Sequence, residues 1–192
     1  MTDRLFVAAF PPQEVTQALE RFVEPRRDLT RPWNWSLATN WHVTLAFLGD
    51  VDADRQDPLA GLLADVARTT SPFRLTMSGG LALPNPAKAR VLALAGTGGV
   101  AELTHLAGRV RAACSRAGTP PDGARFTPHL TLARANRPAA ARTVLQLADS
   151  FGEFAWEVAE IVLVASTLNR GGSRYQAVGR YQFASPSTAG AQ

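Results

Sequence analysis

NWHVTLAFLGD (residues 40–50) and FTPHLTLARA (residues 126–135) share a tetrapeptide pattern, HVTL in the first and HLTL in the second, and hold two of the chain's three histidines. Each reads as a β-strand, rich in aliphatic and β-branched residues, and the first closes on a Gly-Asp turn signal. Strand side chains alternate between faces, so His42 and Thr44 point one way and Val43 and Leu45 the other. The same holds for His129 and Thr131 against Leu130 and Leu132. Each apolar pair belongs in a core, and each His–Thr pair faces away from it. The two histidines are 87 residues apart, nearly half of the 192-residue chain. Each histidine strand follows a loop and precedes a helical segment. A duplicated lobe is therefore expected, each copy giving one strand to a shared centre. An approximate two-fold axis between the lobes would bring two imidazoles and two hydroxyls to one cleft.

The flanking sequence supplies the rest of the frame. RLFVAAF (4–10) reads as a buried strand, and PPQEVTQALERFVEP (11–25) as a helix with Val15, Leu19, Phe22 and Val23 along one face. Residues 25–40 are loop-like. A second helix is expected over 54–69, on the stripe Leu59, Leu62, Leu63 and Val66. FRLTMSGGLAL and ARVLALAG are β-rich runs around the turn-forming PNPAK. GGVAELTHLAGRVRAACSRAG (98–118) is an amphipathic helix closed by Gly118. PAAARTVLQLADSF (138–151) is a further helix, and FAWEVAEIVLVAST and SRYQAVGRYQF are strands joined across LNRGG. The class is α+β. Residues 1–183 are expected to form a single bilobal domain, and the small polar tail over 184–192 to be disordered.

Composition narrows the partners without choosing one. Hydrophobic residues make up 46% and charged residues 19%, ordinary for a globular domain. No stretch approaches the roughly 18 apolar residues of a membrane span, and the N-terminal apolar run, broken by Pro11 and Pro12, is a poor secretory signal. Cys114 is the sole cysteine, which fits a reducing cytoplasm. The chain is expected to be cytoplasmic, monomeric and free of membrane contact. Its net charge is +4, and Lys88 is its only lysine, so nearly all the positive charge is arginine. Arginine pairs bidentately with phosphate, which fits an RNA or nucleotide partner; an arginine-favouring genome explains the same composition.

Two histidines and two threonines suit displacement at phosphorus. Such a reaction needs a base for the attacking water and an acid for the departing oxygen, and histidine does either near neutral pH. Thr44 and Thr131 supply donors for the non-bridging oxygens. No carboxylate cluster accompanies the histidines, so neither a metal nor a cofactor is expected. His105, beside Glu102 and Arg109 in the third helix, reads as an exposed residue outside the site.

HVTLAFLG and FTPHLTLAR resemble the paired H-x-T-x signatures of the 2H phosphoesterases, and in particular the RNA 2′,3′-cyclic phosphodiesterases also called 2′-5′ RNA ligases. RLFVAAFPPQEV, ARVLALAG, the helix ending near Gly118 and IVLVASTLNRGGSRYQAV extend the resemblance over roughly residues 4–183. The resemblance implies a bilobal fold of pseudo-two-fold symmetry, with two antiparallel-rich sheets lining a central cleft and helices outside. It implies metal-independent hydrolysis of a terminal RNA 2′,3′-cyclic phosphate to a 2′-phosphate. Carried onto this sequence, it makes His42 the proton donor to the departing 3′-oxygen, His129 the base that activates water, and Thr44 and Thr131 the phosphate-binding threonines. The implied partners are RNA ends or small nucleotides bearing a cyclic phosphate. Other activities of the same superfamily, such as 2′-5′ ligation or opening of a cyclic phosphate on a small nucleotide, stay open, as does a non-catalytic RNA-binding module.

Several further residues are placed by strand phase. Arg134 falls on the side of Leu130 and Leu132 in a regular strand and reaches the cleft only if the strand ends or bulges; the resemblance favours a phosphate-binding role for it. Phe47 shares the face of Val43 and Leu45, so core is its default. Trp41, where the family often has a smaller aliphatic residue, is expected at the pocket rim. Trp33, Trp35, Phe126 and Tyr175 are candidates to stack a base. GTGG (96–99) lacks the length and lysine of a P-loop and reads as a plain connection.

Overall fold

The structure, a computed structural model, describes residues 2–30, 32–169 and 172–184. Among these residues, nine strands, all paired antiparallel, and four α-helices make an α+β fold. The strands are β1 (Thr2–Ala9), β2 (Trp33–Trp35), β3 (Val43–Asp52), β4 (Phe73–Leu83), β5 (Ala89–Gly98), β6 (His129–Ala139), β7 (Phe154–Val158), β8 (Glu160–Asn169) and β9 (Gly172–Gln182). The helices are α1 (Gln13–Val23), α2 (Ala53–Arg68), α3 (Val100–Arg116) and α4 (Arg142–Asp149). Two 3₁₀ turns, Glu24–Thr30 and Ala38–Asn40, and the short β2 occupy the segment expected to be loop. The tail expected to be disordered lies, from 185 onward, outside the described residues.

The strand order is β7-β4-β5-β6-β3-β1-β8-β9, with β2 added beside β6. Two four-stranded halves meet at β3 and β6, where a single residue pair, Val43 with Leu130, joins them into one sheet. The halves are not the two ends of the chain, as a simple duplication leads one to expect. One consists of β4 to β7. The other takes β1 and β3 from the start of the chain and is completed by the β8–β9 hairpin near its end. FAWEVAEIVLVAST, read as one strand, breaks at Ala159. Its first part pairs with β4 in one half and its second with β1 in the other.

One face of the sheet packs against the helices. Leu5, Val43, Leu45, Leu92, Leu94, Leu130 and Leu132 share a cluster there with Leu19, Leu63, Leu103 and Val110 from the helices. Burying one such side chain stabilises by roughly 1.5–3 kcal/mol, which fixes strand phase strongly. On the opposite face of the β1–β3–β8 half, Phe6, Ala8, Val162 and Val164 form a smaller cluster with Phe10, Phe47 and Tyr175 packed on it.

Candidate active site

The site begins with register. Val43 opposes Leu130, and both are almost fully buried. One step either way along this antiparallel pair sets His42 opposite Thr131 and Thr44 opposite His129, all on the face away from the main core. The two H-x-T runs thus meet head to tail across the junction of the two halves.

A matched bulge in each strand decides what lies beyond. On β3, Thr44 pairs with Ala8 and Ala46 with Val7, leaving Leu45 as an extra residue. On β6, Thr131 pairs with Ala93 and Ala133 with Leu92, leaving Leu132 extra. Each bulged leucine and the alanine after it are both buried, where a regular strand would turn one of them outward. The slip moves the fifth residue after each histidine to the histidine's own face. Arg134, opposite Val91, therefore shares a face with Thr131 and His129 and lines a cavity with His42 and Thr131. Phe47, opposite Phe6, moves to the face of Thr44, where it packs in the smaller aromatic cluster under the Arg4 guanidinium. Its expected place in the main core is corrected by that bulge.

The two imidazoles are hung alike. His42 Nδ1 lies 2.7 Å from the carbonyl of Asn40, and His129 Nδ1 lies 2.6 Å from the carbonyl of Thr127. A carbonyl only accepts, so each Nδ1 carries the proton and donates it, and each Nε2 keeps its lone pair in the neutral ring. The segments that carry these carbonyls are tied to other parts of the fold. The Asn40 side-chain amide donates to the Ser173 carbonyl on β9 at 3.0 Å. The loop before His129 is gripped by Arg111 of α3, which donates to the carbonyls of Asp122 and Ala124, and Asp122 N–H donates to the Phe47 carbonyl on β3 at 3.0 Å. That loop also passes so close to Gly96 that a Cβ there would meet Pro128 Cβ at 2.9 Å.

Surroundings separate the two rings. His42 lies among the rings of Phe6 (4.9 Å), Tyr175 (5.4 Å) and Phe10 (5.6 Å), and its Nε2 accepts from the Thr44 hydroxyl at 3.0 Å. Burial in that apolar setting pushes its pKa down to about 4, partly offset by the Asn40 carbonyl; Arg134 and His129 lower it a little further. Burial also lowers the pKa of His129, against the Thr127 carbonyl and with Arg134 adding to the fall. Both rings are therefore held neutral at pH 7 in the free protein.

The cavity beside His42 measures about 300 Å³ and is walled by Asn34 to Leu37, Asn40, Thr131, Arg134, Ser173 and Tyr175. A larger groove of about 740 Å³ lies against α1, past Phe10, but holds no histidine. Of the four stacking candidates, Trp35 and Tyr175 line the smaller cavity. Trp33 is buried in the main core and Phe126 packs against it, because β2 pairs with β6 and the loop before His129 folds inward. Trp41 is also buried there, 1% exposed, on the face of Val43, and does not reach the rim of the histidine cavity. His105 is exposed on α3. Among the described residues no three His, Cys, Asp or Glu side chains are grouped to hold a metal ion.

The chain is similar to known proteins in sequence and in fold. An RNA 2′,3′-cyclic phosphodiesterase of Aquifex aeolicus is 30% identical over 181 residues, covering 91% of this chain and 94% of that protein. One from Archaeoglobus fulgidus is 35% identical over 140 residues, 71% of this chain and 76% of that protein. The crystal structure of TT0787 of Thermus thermophilus superposes with a TM-score of 0.76 at 27% identity, over 94% of this chain and 97% of its own. The crystal structure of Escherichia coli LigT complexed with 3′-AMP gives 0.75 at 28% identity, over 95% and 99%. The model of the 2′-5′ RNA ligase superfamily matches residues 8–170, and the chain belongs to that family.

Proposed function

We propose that the protein hydrolyses terminal RNA 2′,3′-cyclic phosphates to 2′-phosphomonoesters, with His42 and His129 as an acid–base pair. The observation that carries this reading is the head-to-tail register of the two H-x-T runs, with both Nδ1 atoms committed to backbone carbonyls. That arrangement turns two Nε2 atoms to a phosphate set between them, the His42 atom exchanging its bond to the Thr44 hydroxyl, one to take a proton from water and one to give a proton to the departing oxygen. Thr44, Thr131 and Arg134 are the groups for the phosphate oxygens, the guanidinium binding in two-pronged fashion. The names of the relatives from Aquifex and Archaeoglobus support the substrate class.

His42 serves as donor and His129 as acceptor in this reading. The phosphodiester anion favours imidazolium and so raises the low pKa of His42 when substrate binds. A second reading exchanges the two roles. It is favoured by the stronger depression of His42, because an imidazole held neutral is a ready base.

Incubation of 2′,3′-cyclic nucleotides and a cyclic-ended oligonucleotide with the protein in excess chelator tests the reaction. Undiminished turnover to a 2′-phosphate is expected, because the chemistry rests on side chains alone. A strict need for added divalent ion would overturn the mechanism. A 3′-phosphate product would show that the cyclic ester sits the other way round.

A further inference from the structure

The charge of this chain is unevenly spread. Between Asp65 and Glu102, and again between Asp122 and Asp149, there is no acidic residue at all. These stretches build β4, β5 and β6; besides Arg68, Arg74 and Arg125 they carry Lys88, Arg90, Arg134, Arg137 and Arg142. The last five are exposed, and among the described residues none of them forms an ion pair. An arginine-favouring genome accounts for arginine in place of lysine. It does not account for the exclusion of Asp and Glu from one end of one hairpin, where unpaired like charges cost stability.

Geometry connects these cations to the site. Beyond Arg134 the β5–β6 ladder opens, and the four residues from Ala135 to Pro138 on β6 stand opposite Arg90 alone. That wide bulge carries Asn136 and Arg137 outward, and the Arg90 guanidinium reaches the Asn136 carbonyl at 3.5 Å. Lys88 sits in the adjoining turn, capped by the Asn85 side chain. The turn is held against the segment before α4 by the hydrogen bond from Ala141 N–H to the Pro86 carbonyl. Val91 opposes Arg134 and Ala89 opposes Ala139, so the bulge that carries Arg137 lies within about 7 Å along the ladder from Arg134, which itself lines the histidine cavity.

We infer that Lys88, Arg90 and Arg137 form a track for the phosphates of single-stranded RNA upstream of the end held in the cavity. The substrate is then an oligonucleotide several residues long, and a cyclic mononucleotide is a truncated version of it. This inference rests on the proposed hydrolysis for its substrate, but the surface can be tested without turnover. An RNA single strand is the fitting occupant because the cations are spaced along a strand leading to the cavity.

The test compares wild type with the triple variant K88Q/R90Q/R137Q on a cyclic-ended hexanucleotide and on a 2′,3′-cyclic mononucleotide, across a salt series. The expected result is a roughly 10-fold lower kcat/KM on the hexanucleotide, with the mononucleotide unchanged within about twofold. The log–log salt slope for the hexanucleotide should become shallower by about 0.7 for each phosphate that the variant no longer neutralises. An equal effect on both substrates, or an unchanged slope, would overturn the track. In parallel, binding of a fluorescent 3′-phosphorylated hexanucleotide is measured by anisotropy. If wild type hydrolyses neither cyclic substrate but the triple variant still binds this probe more weakly, the track stands and the hydrolysis reading falls. Equal displacement of the probe by polyglutamate of matched charge would overturn RNA as the occupant.

Discussion

His42 and His129 stand on nearly the same backbone, yet their surroundings differ. Both donate Nδ1–H to the carbonyl two residues earlier, both precede an apolar residue and a threonine, and both strands bulge at the following leucine. Around His42 the neighbours are Phe6, Phe10 and Tyr175, and its Nε2 is bonded to Thr44. Around His129 no ring contact and no bond to Thr131 is seen among the described residues; its side of the junction contributes Arg134 instead. The positions five residues on show the same contrast, Phe47 in one strand and Arg134 in the other. The repeated backbone brings two imidazoles to one junction, where the proposed reaction sets a phosphate between them. The unlike surroundings allow the two to hold different protonation states, which an acid–base pair requires.

The largest effect should come from breaking the pair. His42→Ala and His129→Ala are each expected to lower turnover of a cyclic nucleotide by roughly 10²–10⁴-fold with folding intact by circular dichroism. The double variant should lose little more than the worse single one, since the two groups act as a unit. Near-wild-type turnover in either single variant would remove the contrast's functional meaning.

A smaller effect should follow from loosening one tether. Asn40→Ala and the isosteric Asn40→Asp both remove the donor to the Ser173 carbonyl. Each is expected to lower kcat by roughly 10-fold, because the Asn40 carbonyl then holds His42 less firmly. A displaced pH–rate profile should accompany the loss. An unchanged profile would make the tether merely structural.

The pH dependence sharpens the contrast further. Turnover requires one ring protonated and the other not, so both kcat/KM and kcat should be bell-shaped. In the free protein the pKa of His42 is about 4 and that of His129 is also lowered, which puts the kcat/KM limbs at low pH. The bound phosphodiester anion stabilises imidazolium and raises both values, so the kcat optimum should lie above the kcat/KM optimum by roughly one unit or more. The limbs belong to the coupled pair rather than to either ring. Coincident optima would contradict the assignment of charge.

Strand alternation makes the four His and Thr side chains legible, because Val43, Leu45, Leu130 and Leu132 have only one place to go. It fails one step later. In Leu45-Ala46 and Leu132-Ala133 both residues suit a core, so nothing in the pattern betrays the extra residue. Phe47 accordingly reads onto the wrong face, and Arg134 can be placed only conditionally. The break at Ala159 leaves no signal either, because Val162 and Val164 continue the phase of Trp156 and Val158 and are buried as well as Ile161 and Leu163. β2 is hidden by its length, three residues. The ties from Asn40 to Ser173 and from Asp122 to Phe47 join residues far apart in sequence, and no local pattern encodes them.

The claim that two imidazoles divide acid and base between them is tested most directly by changing the leaving group. A ribonucleoside phosphodiester whose departing group is a 4-nitrophenolate needs no proton as it leaves. His42→Ala should be restored on that substrate to within roughly 10-fold of wild type, while His129→Ala stays impaired by roughly 10² or more. Restoration of His129→Ala alone would exchange the two roles. Failure of both variants on the activated substrate would contradict the division of labour itself.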